Sequence, residues 1–469
     1  MAEPRVGSPL RQSLRSVLVA WLFGAAWLYL TTGAVFTRFA KLLDMPKFGY
    51  GLLAAVPFVG ALAQLPVSYF ITRYGHRKSI FITVGAIHRL LWLPIAAIPW
   101  LLPAGWQWQG LLVLFAVMWL AGQMNTPIWV AWMADLVPGR IRGRYFTRRG
   151  QFGQLIGVIV TLLTGYALDH APTAALLKVV CLTLGISALF GLVDFLFFVK
   201  VPDLQRVKPN PEVRIWEMLR VPLRDRNFLR FLGFTTLLTF AVGYVGQFAW
   251  LFVFDVARLS NTQANAMMVV MPLVIFMLSG PLWGRLLDRF GRKPVLIIAG
   301  LLIVPGSLGW IFISREHWVW GYLFVVLSTA AWPGIEAGNF NILLNLSDGP
   351  TGRVAGSAYV AINSAACAVA GILSGLFGGA VAQALGDWRT TILGYPLTYH
   401  GVLFIISSVL RLAAVGWLIG FQDHRAATAR TALRYLGTNL YSNLQQAVFI
   451  PGRALQQLSR WTYQSTRRR

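Results

Sequence analysis

Twelve stretches of about 20 or more mostly apolar residues follow one another along this chain of 469 residues. A helix rises about 1.5 Å per residue and a bilayer's hydrocarbon core is about 30 Å thick, so each stretch can span it. Backbone in lipid must satisfy its own N–H and C=O groups, which restricts such stretches to helices. The candidate spans are 16–38, 48–72, 79–102, 109–134, 151–169, 174–199, 229–254, 263–287, 294–314, 318–346, 354–384 and 397–421. Several exceed 20 residues, as tilted or projecting helices do. Only 12% of residues are charged, about half the share found in soluble proteins. The sequence therefore reads as an all-α membrane protein.

Arg5, Arg11 and Arg15 precede an apolar run from Val17 to Phe36, an arrangement that imitates a secretory signal. The run is longer than a signal's apolar core and no cleavage site follows it, so it is read as a retained first helix. Cys181 and Cys367 both lie in apolar segments, which supports neither a disulfide framework nor a metal site. No cofactor is expected.

The formal charge of +25 would suggest nucleic acid in a soluble protein. Here the basic residues fall between the apolar segments, so no nucleic-acid partner is expected and the charge is read as orientation. With the N-terminus inside, 32 of the 41 Lys and Arg lie in cytoplasmic segments and seven in outer loops. Arg89 and Arg411 lie within helices. Excess positive charge marks the cytoplasmic side, so both termini are expected there, in a bacterial cytoplasmic membrane. The outer loops are too short for an extracellular domain.

The expected organisation is a cytoplasmic N-terminus (1–15), a six-helix bundle (16–199), a charged, Pro-rich linker (200–228), a second six-helix bundle (229–421) and a basic tail (422–469). The halves repeat weakly. Gly75 and Gly291 are offset by 216, and Asp135 and Asp348 by 213, as are Trp119 and Trp332. Paired six-helix halves are a recurrent transporter architecture with the site between them at mid-membrane. In the tail, Leu433, Leu436, Leu440 and Leu444 recur at helical spacing, then Leu455, Leu458 and Trp461. That pattern fits either an amphipathic helix on anionic lipid or a disordered basic tail.

The segment GRLLDRFGRKP, Gly284 to Pro294, joins the eighth and ninth spans. It resembles the signature loop of the major facilitator superfamily, G-x-L-x-D-R-x-G-R-K, at every fixed position: Gly284, Leu286, Asp288, Arg289, Gly291, Arg292 and Lys293. Gly284 would let a neighbouring helix approach, and Gly291 would permit a tight turn. Asp288 would sit near the positive N-terminus of a helix in the other half. The first-half counterpart, Ser68 to Lys78, keeps Arg73, Gly75, Arg77 and Lys78. It has Thr72 in place of the acid and Ser68 in place of the first Gly. A run from Asp135 to Gly153, with Arg140, Arg142, Arg144, Arg148 and Arg149, resembles the loop between the family's fourth and fifth helices. Its arginines are expected at the gate or on lipid headgroups, with Asp135 as their acidic partner. The resemblance, over residues 16–421, implies two rocking bundles and a central cavity lined by helices one, four, seven and ten.

Ionisable groups inside spans are functional candidates. Glu336 lies 12 residues before Asp348, so about 18 Å from the cytoplasmic end. A carboxyl at that depth suits proton loading, although a structural carboxylate tied to another helix would occupy the same place. Asn339 shares its face, and Pro333 permits a bend. Gln123 takes the equivalent position in helix four, with Asn125 and Trp129 nearby and Gln247 in helix seven. These residues are read as substrate or proton contacts; amides also join membrane helices structurally. Arg89 is expected to pair with an acid or to snorkel.

The favoured function is secondary active transport of a small solute by alternating access, with protons as candidate coupling ion and a monomer as the expected state. A non-transporting sensor, scaffold or assembly factor is the alternative. No Walker loop, H-E-x-x-H or G-x-S-x-G occurs, so neither ATP drive nor an enzyme is expected.

Overall fold

The computed structural model describes residues 8–74, 76–203, 222–347, 352–392, 395–423 and 427–436. Gly75, Asp348, most of the linker and the tail beyond residue 436 lie outside the described residues. The expectations placed on them, including the leucine pattern from Leu440 onward, go with them.

Helix α1 is Ser8–Leu30 and α2 runs Lys47–Ala61, then Gln64–Tyr74. Helix α3 is Arg77–Leu90 continued by Trp92–Leu101, α4 is Gln107–Leu136, α5 Gly139–Asp169 and α6 Leu176–Val199. Helix α7 is Arg226–Gly243 with Phe248–Asp255. Helix α8 is Asn261–Asn265, one π turn and Met271–Phe290. Arg292–Leu308 forms α9, Trp320–Ser347 α10, Gly352–Leu385 α11 and Tyr399–Leu418 α12. Eleven of the described segments are long and apolar enough to cross a membrane. The helix outside that count is α10, whose 28 residues include Glu336, Asn339, Asn341 and Asn345. It packs against α8 and α9.

The first helix starts and ends eight residues earlier than expected, at Ser8 and Leu30. Thr31 and Thr32 turn their hydroxyls back onto the carbonyls of Trp27 and Leu28, and Gly33 has φ +69°. Helical geometry ends there, and a short helix, Ala34–Leu42, follows. The fifth helix starts twelve residues earlier than expected, at Gly139 instead of 151. Arginine is a good helix former, so a basic segment beyond the lipid can continue a helix. Between α11 and α12 an antiparallel hairpin, Arg389–Ile392 with Tyr395–Thr398, takes the place of the simple loop anticipated.

Packing divides the molecule in an informative way. The face carrying Ser8, Val199, Arg226 and Leu418 is termed the terminus-side face, and the opposite one the far face. At the far face one apolar cluster draws on both halves, with Phe36, Trp92 and Phe115 joined to Phe248, Phe252 and Phe404. At the terminus-side face there are two clusters. One is built from α1–α6 residues around Trp132 and Phe198, the other from Phe228, Trp283, Phe290 and their C-terminal neighbours.

Polar contacts follow the same division. Hydrogen bonds and ion pairs tie the halves together at the far face. Asp169, ending α5, accepts from the Asn261 and Thr262 backbone N–H groups (2.7 and 2.9 Å), which caps the start of α8. Asn265 accepts from the Ala34 N–H at 3.0 Å and donates to the Thr161 carbonyl at 2.9 Å. Arg38 donates to Asn261, Lys41 pairs with Asp255, and Lys47 pairs with Asp387. The α2 and α11 backbones touch where Gly51 meets Gly375 and Gly379, and a Cβ at 51 would overlap both.

Candidate functional site

The first half encloses a cavity of about 570 Å³ that reaches Gln247 and Trp250 of α7. Aromatic side chains form much of its wall, from Trp21 and Trp27 of α1, Phe36, Trp92 of α3, Phe115 and Trp119 of α4, and Trp250 of α7. A second hollow of about 400 Å³ is lined by α2, α7, α10 and α11 and shares Pro57 and Gln247 with the first. Helices one, four, seven and ten all contribute, as the sequence resemblance implied. So do α2, α3, α5, α6 and α11.

The expected site residues divide between the two hollows. Glu336 and Asn339 line the smaller one, Gln123, Asn125 and Trp129 the larger, and Gln247 both. Glu336 is exposed to the hollow and has no hydrogen bond or ion pair among the described residues. The Asn339 side-chain oxygen is buried and unpartnered. Asn125 is 7% exposed, and both of its terminal atoms lack a partner. Gln123 is already engaged: it accepts from Gln64 at 2.8 Å across the α2–α4 contact, the structural use of an amide between membrane helices.

One cavity residue was assigned by sequence to the basic loop. Arg149 stands inside α5, and its guanidinium lies over Trp21 at 4.0 Å and near Trp129 at 4.7 Å. No acid pairs with it among the described residues, and its Nε is buried without a partner. Arg89 contrasts with it. Arg89 bonds Asp194 of α6 at 3.1 Å and lies 3.3 Å from the Trp27 ring centroid, so its charge is neutralised within the wall.

The expected gate residues sit on the terminus-side face. Arg77 pairs with both Asp135 and Asp203 at 2.6 Å, so Asp135 is held by an arginine from the start of α3. Arg142 donates to the carbonyls of Ala134 and Val137, closing the end of α4, and Arg144 is exposed. In the second half Gly291 has φ +87° where α8 turns into α9, a conformation that favours glycine. The α9 N-terminus is capped by Asp423, which accepts from the Arg292 and Lys293 N–H groups at 3.1 and 3.3 Å. Asp288 and Gly284 are exposed, and Arg289 lies 4.5 Å from the Tyr435 ring centroid. The two halves also repeat a detail. The Lys78 amine closes the end of α6 on the Val199 carbonyl (2.9 Å), and the Lys293 amine closes α12 on Ile419 (2.7 Å).

This architecture has a known name. A model of the Major Facilitator Superfamily matches residues 16–375. The chain belongs to that superfamily, whose members are transporters and not enzymes. No curated protein matches it. Among solved structures it is similar to the nucleoside transporter NupG, with 13% identity and a TM-score of 0.63 over 88% of this chain and 99% of that one. It is also similar to the xylose transporter XylE from E. coli in its inward-open conformation, at 15% identity and TM-score 0.62, over 90% and 98% of the two chains. A D-xylose-proton symporter matches at 16% identity and TM-score 0.62, over 88% and 98%. At these identities the likeness is one of fold.

Proposed function

We propose that the chain is a secondary active transporter that moves a small solute by alternating access, and that the conformation described is inward-open. The carrying observation is the unequal packing of the two faces. One apolar cluster and a set of polar ties join the halves at the far face, while the terminus-side face has two separate clusters. A cavity closed at one end and open at the other is one of the two states such a carrier needs. The excess of Lys and Arg in terminus-side segments orients that opening toward the cytoplasm of a bacterial cell. The division at 200–228 and the basic tail's contact with anionic lipid belong to the same reading.

Glu336 is the proposed proton carrier. It faces the hollow without a fixed partner, and neutralising it is the natural way to move it through a closed, low-dielectric state. The fold likeness to a D-xylose-proton symporter is compatible with that role. Asp288, exposed and without a described partner, is the proposed acid of the latch that forms when the terminus-side face closes on the first half. The first experiment is ligand discovery by thermal shift on the purified full chain, since a true ligand raises the melting temperature with its concentration. Each hit is then tested for counterflow in proteoliposomes. Hits that bind but never exchange across the bilayer would point to a sensor.

A further inference from the structure

The larger cavity contains an arginine, Arg149, that lies within the field of Asp194 but touches no carboxylate among the described residues. Arg149 is ringed by aromatic side chains, with its Nε buried and no carboxylate in contact among the described residues. A guanidinium in such surroundings is costly unless a counter-ion reaches it. Among the described residues the other charged groups lining this cavity are Arg89 and Asp194, an ion pair at 3.1 Å whose one carboxylate faces two arginines. His88 also lines it, and its Nδ1 is engaged with the Met118 carbonyl at 2.7 Å. The net fixed charge of the wall is thus the single positive charge of Arg149. Asn125 opens onto the same space, is 93% buried, and has both polar atoms unpartnered.

From this we infer that the transported solute is an organic monoanion with a flat apolar body, its charged group taken by Arg149 and Asn125. The inference rests on the transporter reading above and specifies its substrate class. An aromatic-lined cavity suggests a cation at first sight, because cations favour indole faces. Here guanidinium groups of the protein already cover Trp21 and Trp27, and a second cation would meet Arg149 directly. On the other side, Glu336 lines the adjoining hollow. It repels an anionic group and so directs it toward Arg149, leaving the apolar body against Trp92, Phe115 and Trp119. Arginine's planar fork and the Asn125 amide together match the two oxygens of a carboxylate.

The test uses three probes of one shape, 2-naphthoate, 2-naphthamide and 2-naphthylmethylamine, titrated calorimetrically into the detergent-solubilised full chain. The expected result is binding of the naphthoate at least tenfold tighter than the amide, with no saturable binding of the amine. Arg149→Gln should remove that preference while leaving the amide unchanged. Arg149→Lys should keep the preference for the anion, which guards against a variant that has lost its fold. Equal or tighter binding of the amine or amide overturns the assignment, as does an Arg149→Gln protein that still prefers the anion. Absence of saturable naphthoate binding overturns it as well. Intact anion binding without movement across proteoliposomes would instead refute transport and leave the ligand class standing.

Discussion

Asn265 is the residue through which the far-face seal is most directly tested. It is 1% exposed and joins three elements: its oxygen accepts from the Ala34 N–H, and its nitrogen donates to the Thr161 carbonyl. In Asn265→Ala both bonds vanish. The Thr161 carbonyl keeps the Thr164 hydroxyl at 3.0 Å, but the Ala34 N–H, in the first turn of its helix, is left buried without an acceptor. A lost hydrogen bond costs about 1 kcal/mol and a stranded buried donor about 1–3 kcal/mol, so the sealed state should lose roughly 2–4 kcal/mol. When the far face opens, water reaches the Ala34 N–H and the penalty disappears. The sealed-to-open ratio should therefore fall about 30- to 900-fold. The assay is a spin-label distance across the far face, between Gly105→Cys and Glu316→Cys, with Cys181 and Cys367 replaced by Ala. A new, longer distance population is expected in Asn265→Ala. An unchanged distribution with a properly folded protein would show that these bonds do not hold the seal.

Three further outcomes follow from the geometry. Gly51→Val should push the Gly375 backbone away from α2 and shift the same distance distribution toward the open form, because a Cβ at 51 has no room; retention of the short distance would contradict the close approach. Glu336→Gln should abolish proton-driven accumulation of an identified solute while preserving counterflow, and wild-type accumulation in the variant would end the coupling role. Arg89→Met leaves the buried Asp194 carboxylate without its hydrogen-bonded partner, and breaking such a pair costs about 3–5 kcal/mol. Its melting temperature should drop by several degrees and recover in part in Arg89→Met/Asp194→Leu. A double variant no more stable than the single one would show that the stranded charge is not the cause.

How much of this was readable beforehand depends on the kind of signal. Apolar length and basic asymmetry are carried by consecutive residues, so the helices and the Gly284–Lys293 loop emerged directly, down to the positive φ at Gly291. What failed were inferences that treat a residue as belonging to its neighbours in sequence. Arg149 was counted with the loop because arginines cluster before it. Its place in the cavity depends on Trp21 of α1 and Trp129 of α4, which no local pattern brings together. The pairing of Asp135 with Arg77, from the start of α3, likewise has no local signal. Gln123 looked as free as Asn125 until Gln64 was placed against it. The end of α1 has a weak signal because Val17 to Phe36 is apolar but for Thr31 and Thr32, and only these with Gly33 mark the break.

The arrangement of one shared core at the far face and two separate cores at the other has a thermal consequence. Opening the far face splits an aromatic cluster that includes Trp92, Phe115, Phe252 and Trp310, and wets surfaces now dry. Apolar hydration carries a large positive heat capacity, and the strength of burial weakens on cooling. Unless closure at the other face buries an equal apolar area, the free energy between the two conformations is curved in temperature. The described conformation should then lose ground as the membrane is chilled. A van't Hoff plot of the spin-label populations would bend, and the bend would measure the difference in dry area between the two faces of the carrier.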